Sequence, residues 1–198
     1  KPEQVLKWIN DAVAAEPTNP APRLLLVDTH LRARDFKAAA AAAQTAVAAM
    51  PDNADLLDKQ ARVLMASGDA QQAVSKFARI TQMRPTSAAA FVNLGEAQLS
   101  ANDLDGAARA ARSALDLAPT ALPAQKLAIS VAVKQKRWKE ALALARTMQT
   151  AQPTDATGLL VEGEIELEQK NFDNAIAAFR KATTLAAPGQ APARLHMA

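Results

Sequence analysis

The sequence predicts an all-α fold built from stacked pairs of antiparallel helices, and three observations support this. Alanine is the most frequent residue and tyrosine is absent, a composition that favours helices over sheets. Residues able to cap helices recur at regular intervals. Proline recurs every 34 residues, a period typical of a repeat array, at Pro17, Pro51, Pro85, Pro119 and Pro153.

The repeats are counted from Pro20, so that each one ends shortly after a proline. Proline has no N–H and disfavours helical geometry in the residue before it, so each of these prolines should end a helix. The whole chain, 1–198, is predicted to form one array. Its repeats run over 20–53, 54–87, 88–121, 122–155 and 156–189.

The two ends of the chain resemble incomplete repeats. Residues 1–19 align with the second helix of a repeat whose first helix is missing, and residues 190–198 begin a further repeat. Because an uncapped repeat exposes its stacking surface, we expect a fragment of a longer array that can associate end to end. The residues expected to pack against a neighbouring copy are Val5, Leu6 and Ile9 at one end, or Leu195 and Met197 at the other.

Each repeat contains signals for two helices. Before the first helix of about 13 residues stand Asn19, Asn53, Ser87, Ala121 and Asp155, four of which can accept a hydrogen bond from an unpaired backbone N–H. Caps of the second helix are predicted at Asp35, Asp69, Asp103 and Asn171, with Gln72 completing a capping box after Asp69. Between the helices, at position 15, Gly68 and Asn102 suit a left-handed turn, whereas Arg34, Lys136 and Lys170 can adopt it only at a cost.

Two columns of small or apolar residues lie in the second helices, and we expect both to be buried. Position 20 holds Ala39, Ala73, Ala107, Ala141 and Ala175. Position 27 holds Ala46, Ile80, Ala114, Met148 and Ala182. The aromatic residue Trp138 is likewise predicted to be core, together with its column partners Phe36, Leu104 and Phe172.

The stretch 88–119 resembles the tetratricopeptide repeat family, which it matches at Phe91, Leu94, Gly95, Ala107, Ala114 and Pro119. The resemblance covers nearly the whole chain and implies a right-handed superhelix whose first helices line a concave, partner-binding surface. The chain departs from the family pattern at two columns of the first helix. They hold His30, Gln98, Ala132 and Glu166 in one and Gln60 and Glu162 in the other, so we expect looser packing in the second and fifth repeats.

If the resemblance holds, positions 5, 9 and 12 of each first helix should face the groove, because they share one helical stripe. Position 12 is apolar throughout and the other two carry charges of both signs. The predicted partner-binding residues are Leu24, Asp28, Leu31, Asp58, Arg62, Met65, Val92, Glu96, Leu99, Lys126, Ser130, Val133, Leu160, Glu164 and Leu167. This pattern suits a peptide with spaced apolar anchors. The alternative is that position 12 packs partly against the neighbouring repeat.

No motif indicates catalysis, a cofactor or a metal. His30 is interpreted as a core histidine, and His196 has no partner at metal-binding spacing. The pairs Glu162 with Glu166 and Glu164 with Glu168 are interpreted as a solvated helix face. The late arginines of the second helices are expected to complement the helix dipole; they are Arg79, Arg112, Arg146 and Arg180.

The net charge of +3, with both signs interspersed, argues against a nucleic-acid partner, and no stretch predicts a membrane span. The sequence therefore predicts a non-enzymatic scaffold for a protein or peptide; the alternative is a structural spacer or self-assembling array. The alanine-rich repeats also resemble bacterial repeat lipoproteins of the exosortase and PEP-CTERM sorting system, which accompanies exopolysaccharide production. That narrower resemblance implies a periplasmic or outer-membrane-anchored location, and without it we expect the cytoplasm.

Overall fold

The structure is a computed structural model that describes residues 2–185 and contains eleven α-helices and no strand in that part of the chain. The described residues fall into two compact units, a N-terminal unit that ends at Asp103 and a C-terminal unit that begins at Leu104. The helices of the N-terminal unit are α1 Pro2–Ala15, α2 Pro20–Arg32, α3 Phe36–Ala49, α4 Ala54–Ala66, α5 Ala70–Met83 and α6 Ala88–Ser100. Those of the C-terminal unit are α7 Leu104–Leu117, α8 Leu122–Lys134, α9 Trp138–Ala151, α10 Thr157–Glu168 and α11 Phe172–Leu185.

The periodic prolines end the second helices as predicted. α3, α5 and α9 each stop two residues before a proline, and the residue between has left helical geometry, with φ −139° and ψ 74° at Met50. A short turn then leads into the next first helix. Because such turns reverse the chain, consecutive helices within a unit run antiparallel and pack side by side.

The predicted caps of the first helices are confirmed in three repeats. Side-chain oxygens of Asn19, Asn53 and Ser87 accept hydrogen bonds from backbone N–H groups of the first turn. The cap predicted at Asp155 is wrong in register, because α10 begins only at Thr157. Asp155 instead accepts hydrogen bonds from the Thr157 hydroxyl at 2.6 Å and from its backbone N–H at 2.8 Å. Both hydrogen bonds lower the pKa of Asp155, and the bond from the Thr157 hydroxyl has the larger effect.

Caps of the second helices are confirmed at Asp35 and Asp69, whose carboxylates accept from Ala38 and Gln72 N–H. The capping box is wrong. The Gln72 amide donates to the Asp69 carboxylate, while the Asp69 N–H donates to the carbonyl of Leu64. The cap at Asn171 stays a prediction; the side-chain amide of this residue donates to the Glu166 carboxylate at 2.8 Å.

Every first helix of the five repeats ends in the same left-handed turn, including where glycine is missing. At position 15 the φ angles are 56°, 86°, 59°, 57° and 62° for Arg34, Gly68, Asn102, Lys136 and Lys170. The N–H of position 15 donates to the carbonyl three residues back, and the next N–H donates five residues back, as in Lys136 to Val133 and Arg137 to Ala132. This is a Schellman motif, so three long side chains occupy a conformation that favours glycine.

The two small-residue columns form the core, as predicted. All five alanines of position 20 have no exposed surface, and position 27 is at most 5 % exposed. In the N-terminal unit these columns pack into clusters around Leu57, Phe77 and Val27. In the C-terminal unit a cluster forms around Ile129, Met148 and Ile165, with Trp138 packed against it.

Other core predictions need correction. Phe36 and Phe172, which share a column with Trp138, are 37 % and 57 % exposed, so only part of that column is core. Ile9, predicted to contact another copy, is 5 % exposed and is already packed in its own chain, whereas Val5 and Trp8 of the same helix are 42 % and 67 % exposed. Leu195, Met197 and His196 lie outside the described residues.

Candidate partner-binding site

The first helices of the C-terminal unit form an open groove, which we call the α8–α10 groove. It consists of two adjoining pockets of about 410 Å³ and about 310 Å³ that share Ile129, Ser130, Val161 and Glu164. The structure brings together in it all six residues that the sequence placed in this part of the groove, namely Lys126, Ser130, Val133, Leu160, Glu164 and Leu167.

The α8–α10 groove combines an apolar floor with charged walls of opposite sign. Val133 and Leu167 are partly buried and line the larger pocket. The α8 wall carries the exposed cations Lys126 and Lys134. The α10 wall carries Glu164 and Glu168, both also exposed. A bound segment would therefore meet a cationic side, an anionic side and apolar contacts between them.

Two groove residues were missed by the sequence reasoning, Lys134 and Glu168. Both occupy position 13, which follows position 9 by four residues and therefore lies on the same helical stripe. The i,i+4 relation to position 9 was the signal that could have found them. Val161 at position 6 also lines both pockets, a contribution that depends on the packing of α10 against its neighbours.

In the N-terminal unit, charged side chains of the first helices form ion pairs and hydrogen bonds within the unit. Lys59 of α4 pairs with Asp28 of α2 at 2.6 Å, and Arg62 pairs with Asp58 one turn away on α4 at 2.6 Å. The Asn93 amide of α6 donates to Asp58 at 3.1 Å. These contacts connect α2 to α4 and α4 to α6, so the predicted site residues Asp28, Asp58 and Arg62 have partners within this unit.

The remaining predicted residues of the N-terminal unit differ in exposure. Val92 is wrong as a groove residue, because it is 5 % exposed and part of the core. Leu31 and Met65 are partly buried and pack against the core clusters, as Val133 does in the C-terminal unit. Position 12 thus packs partly inward, which was the alternative interpretation. Glu96 is exposed, and Leu24 and Leu99 are partly buried.

Each unit also holds a pocket beside the second helices whose lining includes the residue at position 7, where the family pattern has leucine. In the N-terminal unit it lies among α3, α4 and α5, with a volume of about 380 Å³, and contains Gln60. In the C-terminal unit it lies among α9, α10 and α11, with a volume of about 190 Å³, and contains Glu162 and Glu166. Looser packing was expected in these two repeats, and the pockets lie there.

The glutamate pair Glu162 and Glu166 is not the solvated face that was predicted. Glu166 is 5 % exposed and accepts a hydrogen bond from Asn171, and Glu162 pairs with Arg146 at 2.9 Å.

The prediction that the late arginines complement the helix dipole is wrong as well, because α5 and α9 have no basic residue in their last turn. Arg79 instead pairs with Asp52 at 2.8 Å in the preceding turn.

Among the described residues, no cluster of three or more His, Asp or Glu side chains is arranged to hold a metal ion. No helix in residues 2–185 has the length and apolar character needed to cross a membrane. Gln60 has a buried Oε1 atom without a hydrogen-bond partner within this part of the chain.

Comparison with solved structures shows the fold. A tetratricopeptide repeat protein from Parabacteroides merdae ATCC 43184 is 15 % identical, with a TM-score of 0.79 over 92 % of this chain and 73 % of that one. PilF of Pseudomonas aeruginosa is 17 % identical, with a TM-score of 0.69 over 93 % and 84 %. YrrB, a TPR protein with an unusual peptide-binding site, is 15 % identical, with a TM-score of 0.64 over 89 % and 91 %.

No curated protein matches the sequence. A family model, that of the tetratricopeptide repeat, matches residues 59–121 and 127–192, which together make up more than half of the chain. The paired helices, the position-15 turns and the buried alanine column agree with this match. The chain therefore has an all-α helical-repeat solenoid fold and belongs to the tetratricopeptide repeat family.

Proposed function

We propose that this protein is a non-enzymatic scaffold that binds a segment of a protein partner in the α8–α10 groove. The observation that carries the proposal is the larger pocket of about 410 Å³, where apolar side chains of α8 and α10 lie between exposed charges. Pockets of roughly 300–1,000 Å³ are typical of ligand sites. A few apolar anchors buried on such a floor supply most of the binding energy.

The charged walls narrow the chemistry of the partner. A bound segment that places acidic side chains toward Lys126 and Lys134 and basic ones toward Glu164 and Glu168 gains complementary charge on both sides. Reversing that segment would put like charges together, so the walls favour one orientation. The expected partner is therefore an extended or helical segment with spaced apolar anchors and flanks of opposite charge.

The N-terminal unit is the less suitable site, because Val92, predicted to line its groove, is buried in the core there. YrrB is described as having an unusual peptide-binding site, which supports peptide binding as a use of this fold.

A role in a cell-envelope sorting or exopolysaccharide system is a proposal that rests on the sequence resemblance alone. Subcellular fractionation of the native host tests it.

The test compares two matched double variants in affinity capture from native extracts with quantitative mass spectrometry. V133E with L167E places two charges on the floor of the α8–α10 groove and should lose the partner. M65E with L99E makes the same change at position 12 of the N-terminal unit and should retain it. Circular dichroism and urea unfolding establish that both variants stay folded.

The outcomes separate the alternatives. A partner lost only with the N-terminal variant would place the site there and overturn the proposal. If wild type and both folded variants retain the same proteins, the groove has no ligand, and the structural spacer becomes the better interpretation.

A further inference from the structure

The pocket among α9, α10 and α11, which we call the Glu166 pocket, has a buried carboxylate in its wall. Glu166 is 5 % exposed and lines the pocket, whose volume is about 190 Å³. Its Oε2 accepts a hydrogen bond from the Asn171 amide at 2.8 Å, and its Oε1 has no donor in residues 2–185. A buried charge is costly unless it is both hydrogen-bonded and paired with an opposite charge.

No cation of the described residues lies within ion-pair distance of Glu166. Arg146 of α9 lines the same pocket, but its Nε and a terminal guanidinium nitrogen both contact Oε1 of Glu162, each at 2.9 Å. Glu162 precedes Glu166 by one helical turn, so the two carboxylates lie on one side of α10. Two carboxylates therefore have one paired cation between them, and Glu166 keeps an unbalanced negative charge.

The corresponding contact in the third repeat has its charge at the surface. There Gln98 occupies the repeat position of Glu166, and its amide donates to the carboxylate of Asp103 at 3.5 Å. Asp103 is exposed, whereas in the fifth repeat the charge is on the buried partner and the amide is on the exposed one, Asn171. The packing of the helix pair therefore does not require a carboxylate at this position.

A second charged group reaches the pocket from α11. Lys181 lines the pocket, is exposed, and forms no ion pair with the described residues. Asn174 adds a polar amide to the same wall, and the small side chains of Ala177 and Ala178 leave space beside it. An occupant therefore meets a buried anion, an exposed cation and alanine methyl groups.

We infer that the Glu166 pocket binds a small free amino acid. The protonated α-amino group donates to Oε1 of Glu166 and balances its charge, and the carboxylate accepts a hydrogen bond from the ammonium group of Lys181. Charge-assisted hydrogen bonds of this kind are roughly twice as strong as neutral ones. A metal ion fits less well, because no three acidic or histidine side chains of the described residues are grouped to hold one.

The size of the pocket limits the side chain of the amino acid. Its volume of about 190 Å³ is below the roughly 300–1,000 Å³ of pockets for drug-sized ligands. Glycine, alanine and serine therefore fit better than amino acids with long or aromatic side chains.

The Glu166 pocket is separate from the α8–α10 groove. Glu162 and Glu166 occupy positions 7 and 11 of their repeat, whereas the groove residues Leu160, Glu164 and Leu167 occupy positions 5, 9 and 12. Binding of an amino acid is therefore a function additional to the proposed one and does not depend on it.

NMR titration with L-alanine tests the site, because it detects weak binding and locates it. The backbone amide signals of Glu166, Asn174 and Lys181 should shift in a saturable way. Propionate lacks the amino group and ethylamine lacks the carboxylate, while both otherwise match alanine. Each should bind at least about tenfold more weakly, because one charge-assisted contact is missing.

Two substitutions assign the contacts. Glu166→Gln removes the charge at nearly constant shape and should weaken binding of L-alanine by about tenfold or more. Lys181→Ala removes the partner of the carboxylate and should weaken it by a similar factor. Glu140→Gln, the same change at an exposed glutamate of α9 outside the pocket, is the control and should bind as wild type does. Urea unfolding establishes that the variants are folded, and Gln98 shows that a repeat accepts glutamine at this position.

Three results would overturn the inference. They are the absence of saturable shifts with L-alanine, equal binding of propionate or ethylamine, and undiminished binding by folded Glu166→Gln. V133E with L167E, the groove variant, should bind L-alanine as wild type does, and Glu166→Gln should retain the groove partner. Failure here and failure of the groove proposal are therefore distinguishable.

Discussion

Gly158 of α10 packs directly against the backbone of Gln149 in α9. A β-carbon on Gly158 would lie 2.7 Å from the Gln149 backbone nitrogen and 2.9 Å from its α-carbon. The Gln149 side chain completes the contact, because its Oε1 accepts from the N–H of Leu159 at 3.2 Å. This hydrogen bond supplies a capping interaction to a helix whose own cap residue, Ala156, provides none.

Gly158→Ala should therefore destabilise the protein, although alanine is normally the better helix former. Backbone atoms cannot rotate away, so α9 and α10 must separate, and overpacking of this kind costs about 1–3 kcal/mol. Urea unfolding followed by circular dichroism measures the change. An unchanged or higher unfolding free energy would contradict the close packing.

Gly163→Ala should also destabilise, but a second substitution should restore stability. A β-carbon at Gly163 would lie 2.5 Å from the ring of Phe179, a side chain of α11. Phe179→Leu alone loses ring contacts, and in the double variant the smaller side chain makes room for the new methyl group. Unfolding free energies of the two single variants and the double variant should show a favourable coupling of about 0.5–3 kcal/mol. Purely additive effects would show that the ring is not the obstacle.

Lys136→Gly should stabilise the protein. Lys136 has φ 57°, and a side chain in this left-handed conformation costs about 1–2 kcal/mol, partly offset by the greater freedom of glycine in the unfolded chain. We expect a gain of up to about 1 kcal/mol in thermal or urea unfolding. Arg112→Gly, at an exposed position inside α7, is the control and should lose about 1 kcal/mol. A loss at both positions would refute the role of the turn.

Gln60→Leu should raise the stability of the isolated chain by roughly 1–3 kcal/mol, because a buried acceptor without a partner is replaced by an apolar group. The matched control is Gln71→Leu, an exposed glutamine of α5, which should change stability by no more than about 0.5 kcal/mol. Differential scanning calorimetry measures the unfolding of both variants. Equal effects would mean that Gln60 already has its hydrogen bonds satisfied.

Thr157→Val should raise the pKa of Asp155, because the hydroxyl that donates to its carboxylate is the largest cause of the lowered value. A depressed folded-state pKa contributes stability above the unfolded pKa, near 3.9, and that contribution is lost as the pH falls through the folded value. NMR titration of the Asp155 carboxyl carbon reads the change directly. A carboxyl that titrates at the same pH in both proteins would contradict the role of the Thr157 hydroxyl.

The sequence predicted the helix ends, the caps and the repeat period, which can be read from the order of residues along the chain. Proline stops and caps such as Asn53 depend on neighbours a few residues away, and the alanine column follows from the 34-residue period; all of these appeared as expected. The predictions were wrong where a side chain pairs with a residue of another helix. Arg146 was assigned to a helix dipole but pairs with Glu162, 16 residues further along the chain.

In the groove, too, helical spacing predicted some residues correctly, whereas packing between helices determined others. The stripe of Val133 and Leu167 followed from helical spacing. The burial of Val92 did not, because position 5 lines an open pocket at Lys126 and is covered at Val92. The left-handed Arg34, Lys136 and Lys170 show that hydrogen bonds of the turn and packing of the repeat can override a residue's own preference. Tertiary contacts therefore determine the burial of Val92 and the backbone conformation at position 15.

Ala39, Ala73, Ala141 and Ala175 have no exposed surface at the same place in four helix pairs that lie within a unit. One methyl group therefore sets how closely the two helices of each pair approach, and any larger side chain there would push them apart. A spacer of constant size makes the pairs interchangeable building blocks. Excising or duplicating a block of one full period should leave the joints intact, whereas a deletion of any other length would bring mismatched surfaces together.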